Sequence, residues 1–176
     1  MRQVVMACVL AALAAGRAHA QDSPAPPKPP AACAGPEFRQ FDFWLGDWDT
    51  YEMADTSKVV ARNRVTSILG GCVLREEYEQ NDGLVGESYS LWDEARGVWH
   101  QSWVTNRGTL LLLEGRVDKG RMVMTAPEMT PEGKASLLRG IWWVEGKNVR
   151  SKADRSTDGG KTWAPVFDIV FRPHRT

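Results

Sequence analysis

Three polar residues fall at positions where the surrounding pattern predicts the inward face of a β-strand. Side chains alternate between the two faces of a strand, so residues two apart share a face. On this basis Glu76 shares the inward face of its strand with Leu74 and Tyr78. By the same alternation, Asn63 points inward with alanine and valine, and Gln101 points inward between two tryptophans. A buried carboxylate beside amides can hold the polar end of a bound molecule, or it can transfer a proton.

The sequence therefore predicts a pocket that is mostly apolar and contains a few placed polar groups. A barrel that is wider than its own side chains can fill leaves such a cavity. The polar end of an apolar or amphipathic ligand would contact Glu76, Gln101 and Tyr78. The predicted ligand-binding residues are Asn63, Glu76, Tyr78, Trp99, Gln101, Trp103 and Trp142.

Two other functions stay open at this point. In the first, the polar groups satisfy one another, pair with Arg139 or bind buried water in a filled core, and the protein is a structural or interaction protein of the cell envelope. In the second, the protein is an enzyme and Glu76 is its general acid or base. The chain has no nucleophile-elbow, zinc-protease or phosphate-loop motif that would indicate a particular reaction.

The composition disfavours metal ions, haem and nucleic acids as ligands. Beyond residue 20, histidine occurs only at His100 and His174, and no cluster has the spacing of metal ligands. Alternation turns His100 outward, away from the interior where a haem group would bind. The chain has 22 basic and 22 acidic residues, which leaves no positive excess to neutralise phosphates. We therefore expect a small hydrophobic ligand, no cofactor and no nucleic-acid partner.

Residues 1–20 have the pattern of a secretory signal peptide. Arg2 precedes an apolar run, and Ala18-His19-Ala20 forms a small-x-small cleavage site. The apolar run is too short to span a bilayer as a helix. We therefore expect an exported protein, periplasmic or secreted, without an integral membrane segment once the signal is removed.

The remaining chain is predicted to consist of a linker and one domain. Residues 21–36 are rich in proline and alanine, which is typical of an extended, solvated spacer. Residues 37–176 suffice for a single domain with one hydrophobic core. Cys33 and Cys72 are the cysteines left after residue 20, and in an oxidising compartment they most simply pair with each other.

From residue 47 onward, short strand-like runs are separated by turn signals rich in Gly, Asn and Asp. No segment has the length and period of a crossover helix, so an antiparallel meander is expected. Its short sequential turns favour an all-β, up-and-down barrel of about 8–10 strands over a sandwich. Only 126–136 is predicted as a longer loop. The predicted strands are 47–54, 59–69, 72–80, 85–92, 98–105, 109–117, 121–125, 137–145, 148–154 and 163–172.

The segment 41–51 contains five aromatic rings in eleven residues, too many to remain exposed. Phe41, Trp44 and Trp48 have the spacing of a helical turn, and Gly46 then breaks this period. We predict a short N-terminal helical plug that leads into the first strand. Trp48 is expected to be the first large inward side chain of that strand.

The stretch Phe-Asp-Phe-Trp-Leu-Gly-Asp-Trp at 41–48 resembles the Gly-x-Trp opening of lipocalins and the wider calycin barrels. More narrowly, it is similar to a family of small exported bacterial proteins of unknown function that are thought to be calycin-like. The resemblance implies a calycin-type barrel in which Arg172 lies across Trp48 at the closed end. Other stretches that fit this family are 71–74, 99–104 and 156–163.

Residues 156–163 also match the Asp-box hairpin of sialidase-type propellers, Ser-x-Asp-x-Gly-x-Thr-Trp. One copy of the motif, without further copies at the spacing of propeller blades, does not predict a propeller. We interpret this segment as a turn in which Asp158 accepts backbone hydrogen bonds and Trp163 anchors the strand.

Overall fold

The computed structural model describes residues 32–175 of the 176-residue chain, and in this range it contains ten β-strands. The signal peptide predicted at 1–20, and the linker predicted at 21–36 as far as residue 31, lie outside the described residues. The helices within 32–175 are single turns, none of them long and apolar enough to cross a membrane. The strands are β1 Gly46–Glu52, β2 Ala61–Ile68, β3 Val73–Gln80, β4 Val85–Asp93, β5 Val98–Thr105, β6 Leu110–Asp118, β7 Arg121–Met129, β8 Ala135–Glu145, β9 Asn148–Ser156 and β10 Ala164–Pro173.

Each strand pairs antiparallel with the next strand along the chain, and β10 pairs with β1 to close the sheet. The predicted up-and-down barrel is therefore confirmed. Its hairpins are tight because glycines with positive φ occupy the turns, for example Gly83 at 86° and Gly120 at 76°. The hairpins that follow β1, β3, β5, β7 and β9 lie at one end, which we call the mouth. The plug and the remaining hairpins lie at the other end, which we call the floor.

The aromatic segment before β1 closes the floor of the barrel, as predicted. It consists of two short 3₁₀ helices, Pro36–Arg39 and Asp42–Trp44. Phe41 and Trp44 are almost completely buried. The Trp44 ring centroid lies 6.0 Å from that of Trp142 on the barrel wall. This packing removes both aromatic surfaces from water, which is the main force holding the plug in place.

Trp48 connects the plug to the first strand. Its side chain is only 7% exposed, and its Nε1–H donates a hydrogen bond to the carbonyl oxygen of Trp44 at 3.0 Å. A Cβ atom at Gly46 would lie 2.6 Å from Trp48 Cζ2. Glycine at position 46 thus allows the indole to fold back over the backbone, which explains the Gly-x-Trp spacing in physical terms.

The predicted loop at 126–136 is wrong, because most of this segment is strand. β7 continues to Met129 and β8 begins at Ala135, so only 130–134 connects them. Pro127 lies beyond Thr125, where the ladder between β6 and β7 ends. β7 has a free edge from that point, and an edge is where a strand tolerates proline.

Arg172 does not lie across Trp48, so this expectation from the lipocalin resemblance is wrong. Arg172 follows the buried, inward-facing Phe171 and therefore points to the outer surface. Its guanidinium carbon lies 4.3 Å from the centroid of the Tyr51 ring, and its Nη1 donates to the carbonyl oxygen of Thr56 at 3.2 Å. It packs on the outside of β1, whereas Trp48 points inside.

Cys33 and Cys72 form the predicted disulfide, with their Cα atoms 5.1 Å apart. The bond joins the segment that precedes the plug to the start of β3. The Arg39 guanidinium adds a second link between these regions by donating to the carbonyl oxygen of Gly71. Both links hold the plug against the rim of the floor.

Replacing both cysteines by serine (C33S/C72S) should lower the free energy of unfolding by roughly 4 kcal/mol. The two residues are 39 positions apart, and the unfolded variant regains the conformational entropy of that loop. Urea unfolding followed by tryptophan fluorescence measures the difference. The control is the wild-type protein, unfolded by urea in the presence of dithiothreitol, and its stability should match that of the variant. A variant as stable as the oxidised protein would contradict a structural role for the bond.

Candidate functional site

The barrel encloses a cavity of about 630 Å³ between the floor and the mouth. Its inner end is formed by Trp44 from the plug together with Leu113, Trp142 and Phe171 from the wall. All four residues belong to the buried hydrophobic core. The deepest part of the cavity is therefore apolar and largely aromatic.

The cavity reaches the surface at the mouth of the barrel. It is bordered there by Glu52 at the end of β1, Leu84 in the hairpin after β3, and Val166 and Phe167 on β10. Val166 is 44% exposed and Phe167 is 42% exposed. Apolar side chains around the opening of a concave site are typical of the rim of a ligand-binding pocket.

One wall of the cavity carries a buried chain of hydrogen bonds. Gln101 Nε2 donates to Ser90 Oγ at 2.9 Å and to Ser88 Oγ at 3.4 Å. The Ser88 hydroxyl in turn donates to Glu76 Oε2 at 2.7 Å. All four side chains are buried and come from β3, β4 and β5. Glu76 is paired in register with Ser88, and Ser90 with Gln101, so the strand pairing brings them together on the inner face.

Burial controls the protonation of Glu76. It raises the pKa of this carboxyl group to about 7, because the ionised form loses its hydration. The hydrogen bond from Ser88 and the nearby amide of Asn63 lower the pKa but do not offset the effect of burial. Near neutral pH the carboxyl group is therefore present in both its protonated and its ionised form. The protonated form can donate a hydrogen bond, and the ionised form can bind a cation.

Asn63 supports this cluster from β2 and does not line the cavity. The residue is 1% exposed. Its amide favours the ionised form of Glu76, although neither Nδ2 nor Oδ1 completes a hydrogen bond of normal geometry within residues 32–175. A buried amide with unsatisfied atoms costs folding free energy.

Tyr78 and Trp103 form the aromatic part of the same wall, nearer the mouth. Their ring centroids are 5.9 Å apart in an edge-to-face arrangement. The Tyr78 hydroxyl donates to Gln80 Oε1 at 3.2 Å. Burial is the largest cause that raises the pKa of Tyr78, so the phenol remains neutral and can act as a hydrogen-bond donor.

Two glycines allow large tryptophan rings to lie close to the barrel wall. A Cβ atom at Gly86 would clash with the Trp103 ring, and a Cβ atom at Gly140 would clash with the Trp142 ring. Any larger residue at these positions would push the indole towards the barrel axis. The glycines therefore keep the centre of the barrel open, a use of glycine that is common where another group approaches a strand closely.

Most of the predicted ligand-binding residues line the cavity, but Asn63 and Trp99 do not. Trp99 is 1% exposed, and its Nε1 donates to Gln40 Oε1 at 3.1 Å. Its ring packs against Phe41 of the plug at a centroid distance of 5.7 Å. Trp99 therefore lies below the cavity, in the layer that the plug fills. The predicted residues that line the cavity are Glu76, Tyr78, Gln101, Trp103 and Trp142.

The sequence prediction missed the two serines that connect Glu76 to Gln101. Ser88 and Ser90 are small and polar, so an assignment of faces by hydrophobicity passes over them. Their alternation with Gly86 on one face was the available signal. Trp44 was also missed as a lining residue, because its role in the plug did not indicate that it also forms the floor of the cavity.

Two polar residues outside the cavity, His100 and Asp158, contact neighbouring residues of the fold. His100 points outward, and its Nδ1 lies 3.3 Å from Glu114 Oε1. Asp158 accepts backbone hydrogen bonds from Lys161 and Thr162 at 3.0 and 2.9 Å, as predicted for the turn. In residues 32–175, no group of three or more histidine, cysteine or acidic side chains could hold a metal ion.

The sequence matches no protein-family model, and no curated protein is significantly similar to it.

The replacement Glu76→Gln should change the pH dependence of stability in a defined direction. The native state binds the Glu76 proton more tightly than the unfolded state, where the pKa is near 4.5. The wild-type protein should therefore lose stability relative to the variant as pH rises from 4.5 through 7, by roughly 3 kcal/mol in total. Urea unfolding at several pH values measures this difference. A difference that stays constant from pH 4.5 to 8 would contradict the assignment.

The replacement Gly140→Ala should destabilise the protein by about 1–3 kcal/mol, because the Trp142 ring must move into the cavity. In a Trp142→Phe background, the destabilisation caused by Gly140→Ala should be much smaller, since phenylalanine lacks the outer ring atoms that clash. Trp142→Phe alone is the matched control for a double-mutant cycle. Additive effects of the two replacements would show that Gly140 does not serve to accommodate Trp142.

Proposed function

We propose that this protein binds one small, largely apolar molecule inside its barrel. The observation that carries the proposal is the cavity of about 630 Å³, with an aromatic floor and one buried polar cluster. Small-molecule sites typically have volumes of about 300–1,000 Å³, apolar walls and a few fixed polar groups. The apolar part of the ligand would lie against Trp142 and Phe171, and its polar end would lie near Glu76 and Gln101.

The arrangement of the walls weighs against a filled core. In a filled barrel, inward side chains meet at the axis and pack to the density of a protein interior. Here Gly86 and Gly140 hold two indoles close to the wall, and the small residues Ser151 and Ala153 line the cavity on β9. Larger apolar residues in place of Ser151 and Ala153 would fill the space and stabilise an empty protein, so their absence favours a ligand.

Acid–base catalysis by Glu76 is the second candidate function. Its pKa of about 7 suits a general acid or base at neutral pH. The two functions differ in the fate of the bound molecule, because a binding protein releases it unchanged and an enzyme releases a product. Mass spectrometry of the molecule that co-purifies from the protein's own host, before and after incubation, distinguishes them.

We further propose that the protein acts outside the cytoplasm and belongs with the calycin-like exported proteins that its opening segment resembles. The disulfide between Cys33 and Cys72 supports the location, because such bonds persist in oxidising compartments. The signal-type pattern at 1–20 supports it independently. The closed meander and the Gly46–Trp48 contact support the family resemblance.

The neutral fluorescent probe N-phenyl-1-naphthylamine should bind saturably with one site per chain. The replacement Leu111→Asn places an amide in the cavity wall and should weaken binding about tenfold, through the loss of apolar contact. Leu112→Asn is the matched control, since Leu112 is the next residue, faces outward and is 49% exposed. Fluorescence titration measures the three dissociation constants.

Two outcomes of this titration would contradict the proposed function. One is a linear, unsaturable signal with the wild-type protein, which indicates only nonspecific partition. The other is an equal effect of Leu111→Asn and Leu112→Asn, which would place the probe outside the barrel.

A further inference from the structure

The side chains that line the cavity include acids but no base. Glu76 lies in the wall and Glu52 lies at the mouth, and among residues 32–175 no lysine, arginine or histidine contributes to the lining. Asp168 also borders the cavity, but its carboxylate pairs with Arg150 at 2.6 Å. The pKa of Glu76 responds to burial, Ser88 and Asn63, and to no cation. The interior thus offers negative charge without a counter-charge of its own.

Three of the basic residues near the mouth are paired with carboxylates. Lys58 pairs with Asp55 at 3.9 Å, and Arg107 pairs with Asp82 at 3.0 Å. An ion pair is neutral overall and has only a weak field at a distance in solvent. The other basic residues near the mouth are Arg155, which pairs with Glu128, and the solvent-exposed Lys134 and Lys161.

Carboxylates near Tyr78 disfavour negative charge in this part of the cavity. Burial raises its pKa most, and the charges of Glu76, Asp82 and Glu52 raise it further. Each of these carboxylates disfavours a negative phenolate. By the same Coulomb interaction, Glu76 and Glu52 attract a cation, whereas Asp82 is already paired with Arg107.

Aromatic rings on the same wall add to this attraction. Trp103 packs edge-to-face against Tyr78 at 5.9 Å, and both rings border the cavity. The face of an aromatic ring attracts an ammonium group, and the attraction is greater where water is excluded. A carboxylate next to aromatic rings in an enclosed site is an arrangement that fits a cationic head group.

We propose that the ligand is an amphipathic cation, an alkyl or arylalkyl amine whose ammonium group lies beside Glu76 and Tyr78. Its apolar tail extends to the floor, against Trp44 and Trp142. This inference rests on the proposed function, since it requires that the cavity binds a small molecule. An ammonium group would supply the partner that a buried carboxylate needs. A carboxylate ligand would instead bring a second negative charge beside Glu76.

Amine binding should depend on the ionisation of Glu76. Glu76 pairs in register with Val65 on β2 and Ser88 on β4, and the amides of Asn63 and Gln101 belong to the same cluster. None of these four side chains titrates. Tyr78 on its own strand is neutral because its pKa is raised. Since the pKa of Glu76 is about 7, the affinity for an amine should rise between pH 6 and pH 8, by up to tenfold per pH unit below 7. The affinity for an uncharged alcohol should change little.

Decylamine, decanol and decanoate test the proposal, because they share one tail and differ in the charge of the head group. Each competes with N-phenyl-1-naphthylamine at pH 8, below its micelle concentration. Decylamine should bind at least tenfold more tightly than decanoate, with decanol between them. Glu76→Gln should remove the preference for the amine over the alcohol. Glu77→Gln, on the outward face and paired with Arg75 at 3.1 Å, is the matched control and should keep it.

The outcomes separate this inference from the proposed function. Equal affinities for the three compounds, or tighter binding of decanoate, would overturn the cationic ligand while small-molecule binding stands. Saturable binding of the probe without displacement by any of them would overturn the cationic ligand alone, whereas an unsaturable probe signal would count against both. If Glu76→Gln fails to fold, the head-group order and the pH dependence of the unaltered protein still decide the question.

Discussion

The contact between Trp48 and the plug is the constraint on which the rest of the structure depends. The indole of Trp48 donates to the carbonyl oxygen of Trp44, which fixes the plug relative to the first strand. The plug in turn packs on Trp142 and Phe171 from the last third of the chain. It therefore joins the two ends of the meander, at the seam where β1 and β10 close the barrel. Without this contact the cavity would have no floor, and its apolar lining would be open to water at both ends.

The open interior is a property of several small residues as much as of the large ones. A closed sheet of ten strands has a wide interior, because barrel diameter grows with strand number. Gly86 and Gly140 then let two indoles lie against the wall, and Ser88 and Ser90 take little space where they carry the hydrogen bonds to Glu76 and Gln101. The protein thus gives up packing density, and with it stability, around the site. Such departures from optimal packing are expected where a fold serves a function.

The charges of the barrel are arranged differently on its two faces. On the outer face, carboxylates lie next to arginines, as in the contacts of Arg62 with Asp49 and of Arg96 with Glu114. These exposed pairs contribute little to stability but leave the surface without a strong field. On the inner face, within the described part of the chain, Glu76 has hydroxyl and amide neighbours and no cation. A single buried carboxyl group in an apolar chamber is costly for folding, and it is the most specific chemical feature that the chamber offers to a ligand.

The sequence alone determined the parts of this structure that follow from local patterns. Alternation and turn residues predicted the meander and placed Glu76, Gln101 and Trp103 on the inner face, and the aromatic spacing predicted the plug. Depth along the barrel axis was decided only by the tertiary structure. Trp99 and Trp103 share one face of β5, yet the plug covers Trp99 while Trp103 borders the cavity. The physical reason is that the face of a residue depends on its own strand, whereas its depth depends on how far a distant segment fills the closed barrel.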